Sequence, residues 1–376
     1  MFKYLAKRSF VVAPNATSPK PQKHVHLALQ PQQVLQDRYK VLSRLGAGVH
    51  STVWLAEDLG SPTKKNVAVK ALTELVTAVQ DTQAFELCVM ERIVNIPSTK
   101  PTLGTRNLLP LFDHFKYPGV QGDHLCLVTE VLGPSVKEVM KALAEQGDRV
   151  ALPLDVVKHL TRQLLCALET LHDGCNTVHT DIKPDNILFR RSALTPDGMF
   201  DAERIFDHDN VVLIDYGTAV PLGAGVNSRL IQPEALRSPE VILGCEWGTK
   251  ADIWNLGCIV FELLIAKSLF MPRPIAHFTA EHYLLAHIFG TLASDADYDR
   301  LRAFCQTGPK YNEFFGENGV LTLRVDTDTR ESLRRILESY HVYSPDLHEF
   351  LTAMLRIHPD DRLTASQLQK LPWLCK

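Results

Sequence analysis

The hydrophobic residues of this chain follow two different periodicities, and the change between them comes at Pro134. Between Tyr39 and Leu72, apolar and polar side chains alternate, with a glycine-containing turn after the first run. Alternation is typical of β-strands, because successive side chains of a strand point to opposite faces of the sheet. The pattern predicts strands in this region, a helix over residues 80–95 and a further strand over residues 124–132.

After Pro134 the apolar residues recur at intervals of three and four, which predicts helices that turn one face towards a core. The clearest run consists of Val157, Leu160, Leu164, Leu168 and Leu171. Further helices are predicted over residues 249–266, 280–290, 330–340 and 346–356. The 376-residue chain is therefore expected to form a small lobe rich in strands, followed by a larger helical lobe.

The first 36 residues differ from the rest of the chain in their charge. They contain no acidic residue and five basic ones, namely Lys3, Lys7, Arg8, Lys20 and Lys23. The whole chain has a net charge of −3, so residues 37–376 carry −8. Because four prolines interrupt any long helix here, we interpret residues 1–36 as a basic, disordered arm. The alternative is a mitochondrial targeting segment, which also begins basic and free of acids.

Composition excludes several classes of protein. A slightly negative chain does not bind nucleic acid through bulk positive charge, so no direct nucleic-acid partner is expected. The longest apolar runs are far shorter than the roughly 20 residues that a membrane helix needs, so no membrane association is expected. The eight cysteines include no C-x-x-C pair. We interpret them as reduced thiols, with a disulfide set or a zinc site as the alternatives.

Three features of the strand-rich region suggest a phosphate site. Gly46 and Gly48 lie between two predicted strands, where their backbone N–H groups can approach phosphates closely; the alternative is a tight hairpin. Lys70 ends an apolar strand, and a lysine buried there needs an anionic partner. Glu86 on the next predicted helix is the expected partner, and Glu91 is the alternative.

The segment from Val178 to Leu188 carries the densest set of polar groups for chemistry. Within it, Asp181 can accept a hydroxyl proton, Lys183 can neutralise a transferring phosphoryl group and Asn186 can bind a metal. Farther along, Asp215 follows an apolar strand and precedes a tyrosine and a glycine. Because Mg²⁺ prefers oxygen ligands, Asn186 and Asp215 are the expected magnesium ligands.

In this order and spacing, the glycine loop, Lys70, Glu86, the segment around Asp181 and Asp215 resemble a eukaryotic protein kinase. The resemblance covers about residues 39–376. It implies an α+β, bilobal protein-kinase-like fold, with a kinase domain over 37–376. The expected bounds are 39–130 for the small lobe, 130–133 for a hinge and 134–376 for the large lobe. In the family, a late arginine pairs with a glutamate, and the matching residues are Arg362 and Glu240.

The resemblance also implies ATP and Mg²⁺ as cofactors and assigns the residues around them. The expected catalytic residues are Asp181 as the base and Lys183, and the expected metal ligands are Asn186 and Asp215. The expected ATP-binding residues are Leu45, Gly46, Gly48, Ser51, Val53, Ala68, Lys70, Glu86, Glu130, Leu132 and Leu188. A nucleotide-binding scaffold without turnover is the alternative, against which the intact set of polar residues argues.

Within the kinases, the sequence is similar to the serine/arginine-rich (SR) protein kinase group, its fungal members in particular. The matching residues are 51–56, 115–122, 131–133, 178–184 and 251–255. This resemblance implies a monomeric serine/threonine kinase of the cytoplasm and nucleus. Its expected partners are protein substrates rich in Arg and Ser, such as splicing factors, or otherwise basic.

Two departures from the general kinase pattern carry expectations of their own. Thr180 stands where many kinases have the arginine that binds a phosphorylated activation loop. Its presence implies activity without loop phosphorylation, as the SR group also lacks that arginine. Tyr216 stands where phenylalanine is usual, and its hydroxyl is expected to find a local partner.

Overall fold

The computed structural model describes residues 25–96, 103–145, 151–195, 204–206, 210–225, 227–275, 277–293, 298–323 and 332–375. The chain divides into two units. Unit 1 comprises the residues up to Asn95 and Leu109–Leu132, and unit 2 comprises Ile96–Leu108 and Gly133–Lys376. Ile96 and residues 103–108, which the sequence placed in the small lobe, thus belong with the large one.

Unit 1 is built on one antiparallel sheet of six strands in the order β1-β2-β3-β4-β6-β5. The strands are β1 (Val34–Leu35), β2 (Tyr39–Ala47), β3 (Ser51–Asp58), β4 (Asn66–Leu72), β5 (Leu111–Pro118) and β6 (Asp123–Thr129). Two helices follow β4, namely α1 (Glu74–Ala78) and α2 (Glu86–Val94). The sequence thus predicted β2, β3, β4 and β6, whereas β1 and β5 were not predicted.

Helix α2 is shorter than the helix predicted over residues 80–95. Asp81 has a φ of 65°, in the left-handed region that a helix interior excludes for this residue type. Its N–H donates to Ala84 O at 2.7 Å, so residues 81–84 form a turn. The helix therefore begins only at Glu86.

One face of the sheet is covered by residues that the sequence assigned to the arm. Leu27, Leu29 and Leu35 are 6%, 3% and 0% exposed, and they share an apolar cluster with Trp54 and Val69. The burial of these leucines excludes disorder from residue 25 onwards, so the boundary expected at residue 37 is too late. The five basic residues of the arm lie outside the described residues.

Unit 2 is mainly helical, as the periodicity after Pro134 predicted. Its helices are α3 (Val136–Glu145), α4 (Leu154–Glu169), α5 (Pro239–Ile242), α6 (Lys250–Ile265), α7 (Ala280–Leu292), α8 (Tyr298–Gln306), α9 (Tyr311–Phe314), α10 (Leu333–Ser339), α11 (Pro345–Met354), α12 (Ala365–Leu368) and α13 (Pro372–Cys375). A 3₁₀ turn at Leu103–Asn107 precedes them, and a π turn at Thr170–Gly174 extends α4.

Four short strands of unit 2 form two antiparallel pairs. β7 (Thr177–Val178) pairs with β10 (Val220–Pro221). β8 (Ile187–Phe189) pairs with β9 (Val211–Leu213). These pairs fix the ends of the two segments that carry the polar residues singled out by the sequence.

Helix α6 forms the centre of unit 2 and is apolar on nearly all sides. A Cβ atom at Gly257 would lie 2.9 Å from Leu355 Cδ2, so only glycine allows α11 to pack this closely on α6. Near the start of α6, Arg362 forms two hydrogen bonds of 2.6 and 2.7 Å with Glu240, as the resemblance implied. Among the helices in the described part of the chain, none combines the length and hydrophobicity that a bilayer crossing requires.

Candidate active site

In unit 1 the lysine of β4 and the glutamate of α2 form the expected ion pair. Lys70 Nζ lies 2.5 Å from Glu86 Oε1, and the side chains are 19% and 3% exposed. The alternative partner, Glu91, instead lies 3.5 Å from His114 Nε2. Because Glu86 begins α2, this contact ties the helix to the sheet next to the glycine loop.

The other residues predicted to hold ATP in unit 1 lie on or beside the same face of the sheet. Val53 on β3 pairs with Lys70 on β4, and Ala68 lies two residues before Lys70. Their neighbours Trp54 and Val69 point to the opposite face, which the apolar cluster fills. The face of Val53 and Lys70 is the more accessible one, as a ligand requires.

The glycine loop joins β2 to β3. Gly48 N–H donates to Ser51 O at 2.9 Å, which closes the turn. A Cβ atom at Gly46 would meet no atom of the chain within 4 Å, so packing within the protein does not require glycine there. The remaining reason for glycine at this position is close approach of a ligand to the backbone. Leu45 is 48% exposed beside the loop, and Glu130 and Leu132 are partly buried at the end of unit 1.

In unit 2 the segment after β7 brings three of the predicted polar side chains together. Lys183 Nζ lies 2.6 Å from Asp181 Oδ2. Asn186 Nδ2 donates to the backbone oxygen of Asp181 at 2.8 Å and to its Oδ2 at 3.0 Å. The amide nitrogen of Asn186 is thereby committed to Asp181, which leaves its oxygen as the atom suited to a cation.

Burial raises the pKa of Asp181 above its ordinary value. The charge of Lys183 and its hydrogen bond act in the opposite direction, and the nearby carboxylate of Asp215 raises the pKa further. The backbone brings these residues together, because Ile214 N–H donates to Asn186 O at 2.9 Å and Asn186 in turn contacts Asp181. These oxygen ligands are the type that Mg²⁺ prefers, and two protein ligands plus phosphates are the usual number for this ion.

Asp215 follows β9 and has a φ of 68° and a ψ of 76°, the left-handed conformation. Non-glycine residues keep this conformation only where neighbouring structure holds them in it. On one side, Tyr216 is fully buried and donates from its hydroxyl to Leu213 O at 3.0 Å, which is the local partner expected for it. The Tyr216 ring also lies edge-on to His179, with 5.7 Å between ring centroids.

Asp252, near the start of α6, holds the residues just before Asp181. Its carboxylate accepts hydrogen bonds from the backbone N–H of His179 at 2.7 Å and of Thr180 at 2.9 Å. It also lies 2.9 Å from His172 Nε2. Asp252 is 0% exposed, and Thr180 has a φ of 70°, so a buried anion stabilises a strained backbone. From the sequence, Asp252 was assigned no role beyond its place in the range 251–255, which resembles the SR kinase group.

The segment after Asp215 is held in place although residue 180 is an uncharged threonine and not the arginine of many kinases. Thr180 Oγ1 donates to Thr218 O at 2.8 Å, and its backbone oxygen accepts from Gln232 N at 3.1 Å. Strand β10 pairs with β7, and Val220 and Ile231 join an apolar cluster there. Arg237 contacts Glu281 at 2.6 Å. Hydrogen bonds, apolar contacts and this ion pair therefore hold the described residues of this segment.

Leu188, the last of the predicted ATP-binding residues, lies on β8 in unit 2 and is partly buried. Its position pairs with Val212 across the strands. The site residues thus form two groups. Unit 1 carries the glycine loop and the Lys70–Glu86 pair, and unit 2 carries Leu188 and the group around Asp181.

The chain matches the family described as protein kinase domain over residues 39–374. It is 25% identical to protein kinase dsk1 of Schizosaccharomyces pombe, over 90% of this chain and 80% of that protein. It is 28% identical to serine/threonine-protein kinase SRPK of Physarum polycephalum, over 91% and 87% of the two chains. It is also 28% identical to human dual specificity protein kinase CLK2, over 93% and 66%.

A solved structure shows the same fold. The crystal structure of the kinase domain of PF14_0431 matches with a TM-score of 0.72 at 22% identity, over 93% of this chain and 99% of that one. The strand-rich first part and helical second part confirm the bilobal kinase-type architecture expected from the sequence. The chain therefore belongs to the protein kinase family, as a serine/threonine protein kinase that is similar to kinases of the SRPK type.

Proposed function

We propose that this chain is an active kinase that uses ATP and Mg²⁺ to phosphorylate Ser or Thr in Arg/Ser-rich or other basic proteins. The observation that carries the proposal is the arrangement around Asp181, whose carboxylate is bonded to Lys183 and Asn186. A chain that had lost turnover would be under no chemical requirement to keep a base, a cation and a metal-type amide in mutual contact.

Asp181 acts as the general base for the attacking hydroxyl. Burial raises the pKa of Asp181, which makes its carboxylate a stronger base towards the substrate hydroxyl. Lys183, which holds one carboxylate oxygen, is close enough to Asp181 to neutralise charge on the phosphoryl group in transit. The second carboxylate oxygen is left for the substrate hydroxyl.

Asn186 and Asp215 hold Mg²⁺ in this proposal, through the Asn186 amide oxygen and the Asp215 carboxylate. When bound, the ion supplies positive charge that neutralises the triphosphate during transfer. The commitment of the Asn186 nitrogen to Asp181 supports this role, because it presents the oxygen and not the nitrogen to the ion.

The residues of unit 1 bind the nucleotide. Lys70 holds phosphate oxygens and is braced by Glu86, while Gly46 and Gly48 let the backbone approach the phosphates. Val53 lies on the same accessible face as Lys70 and provides apolar contact for the base. Adenine recognition further involves the backbone at the end of unit 1.

Two arguments support a basic substrate. Residues 37–376 carry a net charge of −8, which favours encounter with basic proteins. The similarity to a kinase named SRPK supports the Arg/Ser-rich class in particular. We extend the proposal to a monomer of the cytoplasm and nucleus, and attachment of residues 1–36 to a fluorescent reporter would test it against mitochondrial targeting.

Activity without phosphorylation of the segment after Asp215 is part of the proposal. Thr180 holds this segment through Thr218 and Gln232, and apolar contacts complete the order. Phosphatase treatment of the purified chain is expected to leave turnover unchanged. Loss of turnover after treatment would contradict this part of the proposal.

The test is incubation of the purified chain with γ-labelled ATP, Mg²⁺ and two peptides, one with Arg-Ser repeats and one with serines flanked by acids. Transfer to the Arg-Ser peptide is expected. Asp181→Asn is expected to lower kcat by about 10²- to 10⁴-fold, since general-base catalysis contributes about that much. The exposed Asp360, in the same unit, provides a charge-matched control as Asp360→Asn.

Each outcome bears on a different part of the proposal. Transfer to neither peptide, with ATP still bound, would contradict activity and favour the nucleotide-binding scaffold. Preference for the acidic peptide would contradict the substrate class alone. Equal transfer by the wild type and Asp181→Asn would contradict the role of the base.

A further inference from the structure

Val211, the first residue of β9, has backbone groups that point away from β8. In an antiparallel pair, residues that bond to the partner strand alternate with residues whose N–H and C=O face outwards. Arg190 N–H donates to Asn210 O at 2.8 Å, and Ile214 N–H donates to Asn186 O at 2.9 Å. Val211 directly follows Asn210, so its N–H and C=O face outwards and need other partners.

Two buried side-chain amides supply these partners, and we call them the amide clasp. Val211 N–H donates to Gln163 Oε1 at 2.9 Å. Asn107 Nδ2 donates to Val211 O at 2.8 Å and to Gln163 Oε1 at 2.9 Å. Asn107, Gln163 and Val211 are 1%, 5% and 0% exposed. The clasp therefore completes the backbone hydrogen bonding of β9 as a neighbouring strand would.

The backbone groups of Val211 determine which side-chain amide atom, oxygen or nitrogen, Gln163 and Asn107 present to them. Because a backbone N–H only donates, Gln163 must present its oxygen to Val211. Because a backbone oxygen only accepts, Asn107 must present its nitrogen, and both of its amide hydrogens are used. The nitrogen of Gln163 then faces His159 Nε2 at 2.6 Å, and this ring nitrogen acts as the acceptor.

The strand held by the clasp leads to Asp215, four residues after Val211. Asp215 has the left-handed φ of 68°, and such a conformation depends on the structure around it. Buried Tyr216 fixes the chain on the far side of Asp215. On the near side, β9 is fixed by β8 and by the clasp, whose members lie on α4 and on the 3₁₀ turn at Leu103–Asn107.

We propose that the amide clasp of Asn107 and Gln163 is a positioning element for the magnesium site. It holds β9 and thereby sets the place of the Asp215 carboxylate. The inference rests on the proposed function, in which Asp215 binds Mg²⁺. Groups that orient metal ligands typically change metal affinity or activity by about 10- to 100-fold when they are removed.

Two substitutions at one position separate hydrogen bonding from packing. Gln163→Leu keeps the approximate size and leaves the Val211 N–H without an acceptor. Gln163→Glu keeps an oxygen towards Val211, and its second oxygen can accept from His159 once that ring nitrogen carries a proton. Asn107→Asp removes both donated bonds and places a carboxylate against Val211 O, so it is expected to behave as Gln163→Leu does.

The experiment measures phosphoryl transfer by the full chain as a function of Mg²⁺ concentration, well below each variant's thermal midpoint. Gln163→Leu and Asn107→Asp are expected to raise the half-saturating Mg²⁺ concentration by about tenfold. Gln163→Glu is expected to stay close to the wild type. If Asn107→Asp does not fold, the two Gln163 variants decide the question by themselves.

Thr161→Val is the matched control, because Thr161 lies on the same helix and is 0% exposed. Its hydroxyl donates to Val157 O at 2.7 Å, within α4 itself, so its loss is expected to leave the Mg²⁺ dependence unchanged. Reduced thermal stability in Gln163→Leu with a wild-type Mg²⁺ dependence would overturn the proposal, since the clasp would then be structural only.

Different experimental results would contradict this inference and the proposed function. Absence of transfer by the wild type would count against the function, and the Mg²⁺ dependence of ATP binding, measured by calorimetry, would then test the clasp by itself. The same ordering of variants in that measurement would support the clasp. An identical Mg²⁺ dependence for Gln163→Leu and the wild type would overturn it.

Discussion

The two units each contain an ion pair predicted from the sequence, and the two pairs have different surroundings. In unit 2, Arg362 and Glu240 are both almost fully buried and share two hydrogen bonds of 2.6 and 2.7 Å. In unit 1, Lys70 is 19% exposed and meets Glu86 through one oxygen at 2.5 Å. The first pair is enclosed on all sides, whereas the second joins a buried carboxylate to a partly exposed lysine on the accessible face of the sheet.

In our proposal, the same kind of contact therefore serves stability in unit 2 and nucleotide binding in unit 1. A buried pair is costly to break because a single remaining charge cannot be solvated. A lysine at an accessible face can still reach water, so the loss of its partner costs less in folding. Asp252 of unit 2 is likewise a buried anion, and it anchors the backbone just before Asp181.

The largest expected effect is on stability, from Glu240→Gln. Removing one charge of this pair leaves Arg362 buried without a counter-ion, and we expect the free energy of unfolding to fall by about 3–5 kcal/mol. Chemical denaturation of the wild type and the variant measures this directly. At a temperature where both are folded, kcat should remain near the wild-type value. A loss of less than about 1 kcal/mol would contradict the difference between the two units.

The next effect tests the segment that covers the sheet of unit 1. Leu29 is 3% exposed within the apolar cluster, and Leu29→Ala is expected to lower the free energy of unfolding by about 2–5 kcal/mol. Val34 is 42% exposed, so Val34→Ala is the control and is expected to change stability by no more than about 0.5 kcal/mol. Similar values for the two variants would show that residues 25–35 do not belong to the core.

Glu86→Gln is expected to affect activity more than stability. The neutral amide no longer balances the charge of Lys70, so nucleotide phosphates lose a positioned cation. We expect kcat/KM for ATP to fall by about 10- to 100-fold, equivalent to roughly 1.4–2.7 kcal/mol. The free energy of unfolding should change by about 1 kcal/mol or less. If stability fell as much as in Glu240→Gln, the contrast between the pairs would be lost.

The smallest effect is a shift of the pH profile. Because burial raises the pKa of Asp181, the ionised base is lost at a less acidic pH than for a solvated aspartate. The charge of Lys183 lowers that pKa, so Lys183→Met should move the acid limb of kcat/KM to higher pH, apart from any loss of rate. An acid limb that stays in place would contradict this electrostatic account.

The same raised pKa has a consequence for stability. Between the ordinary and the raised pKa of Asp181, the unfolded chain loses its proton first, so ionisation favours unfolding as the pH rises. Asp181→Asn lacks this cost and is expected to melt at a higher temperature than the wild type at neutral pH. This difference in melting temperature should vanish below the ordinary pKa of aspartate, where Asp181 is protonated in both the folded and the unfolded chain.

Local patterns in the sequence were sufficient for much of the fold. Alternation predicted β2, β3 and β4, and intervals of three and four predicted α4 and α6, because each pattern reports which face of an element is buried. The pairing of Lys70 with Glu86 also followed from local reasoning, since a charged residue in an apolar strand requires a partner. The turn before α2 was missed because a left-handed Asp81 has no clear signal in the sequence.

The contacts that the sequence did not reveal join distant parts of the chain. Asn107 and Val211 are 104 positions apart, and Asp252 lies 73 positions from His179. A buried amide or carboxylate has no periodic pattern, and its partners are mostly backbone groups, which every residue has. Leu27 and Leu29 were missed for a related reason, because the basic residues before them dominated the composition of the first 36 positions.

The central claim is our proposal that this chain binds one magnesium-loaded ATP, and titration calorimetry with MgATP tests it most directly. The account predicts one nucleotide per chain, with weaker binding in both Lys70→Met and Asp215→Asn and a loss of Mg²⁺ dependence in Asp215→Asn. Wild-type binding of MgATP by either variant would contradict the claim.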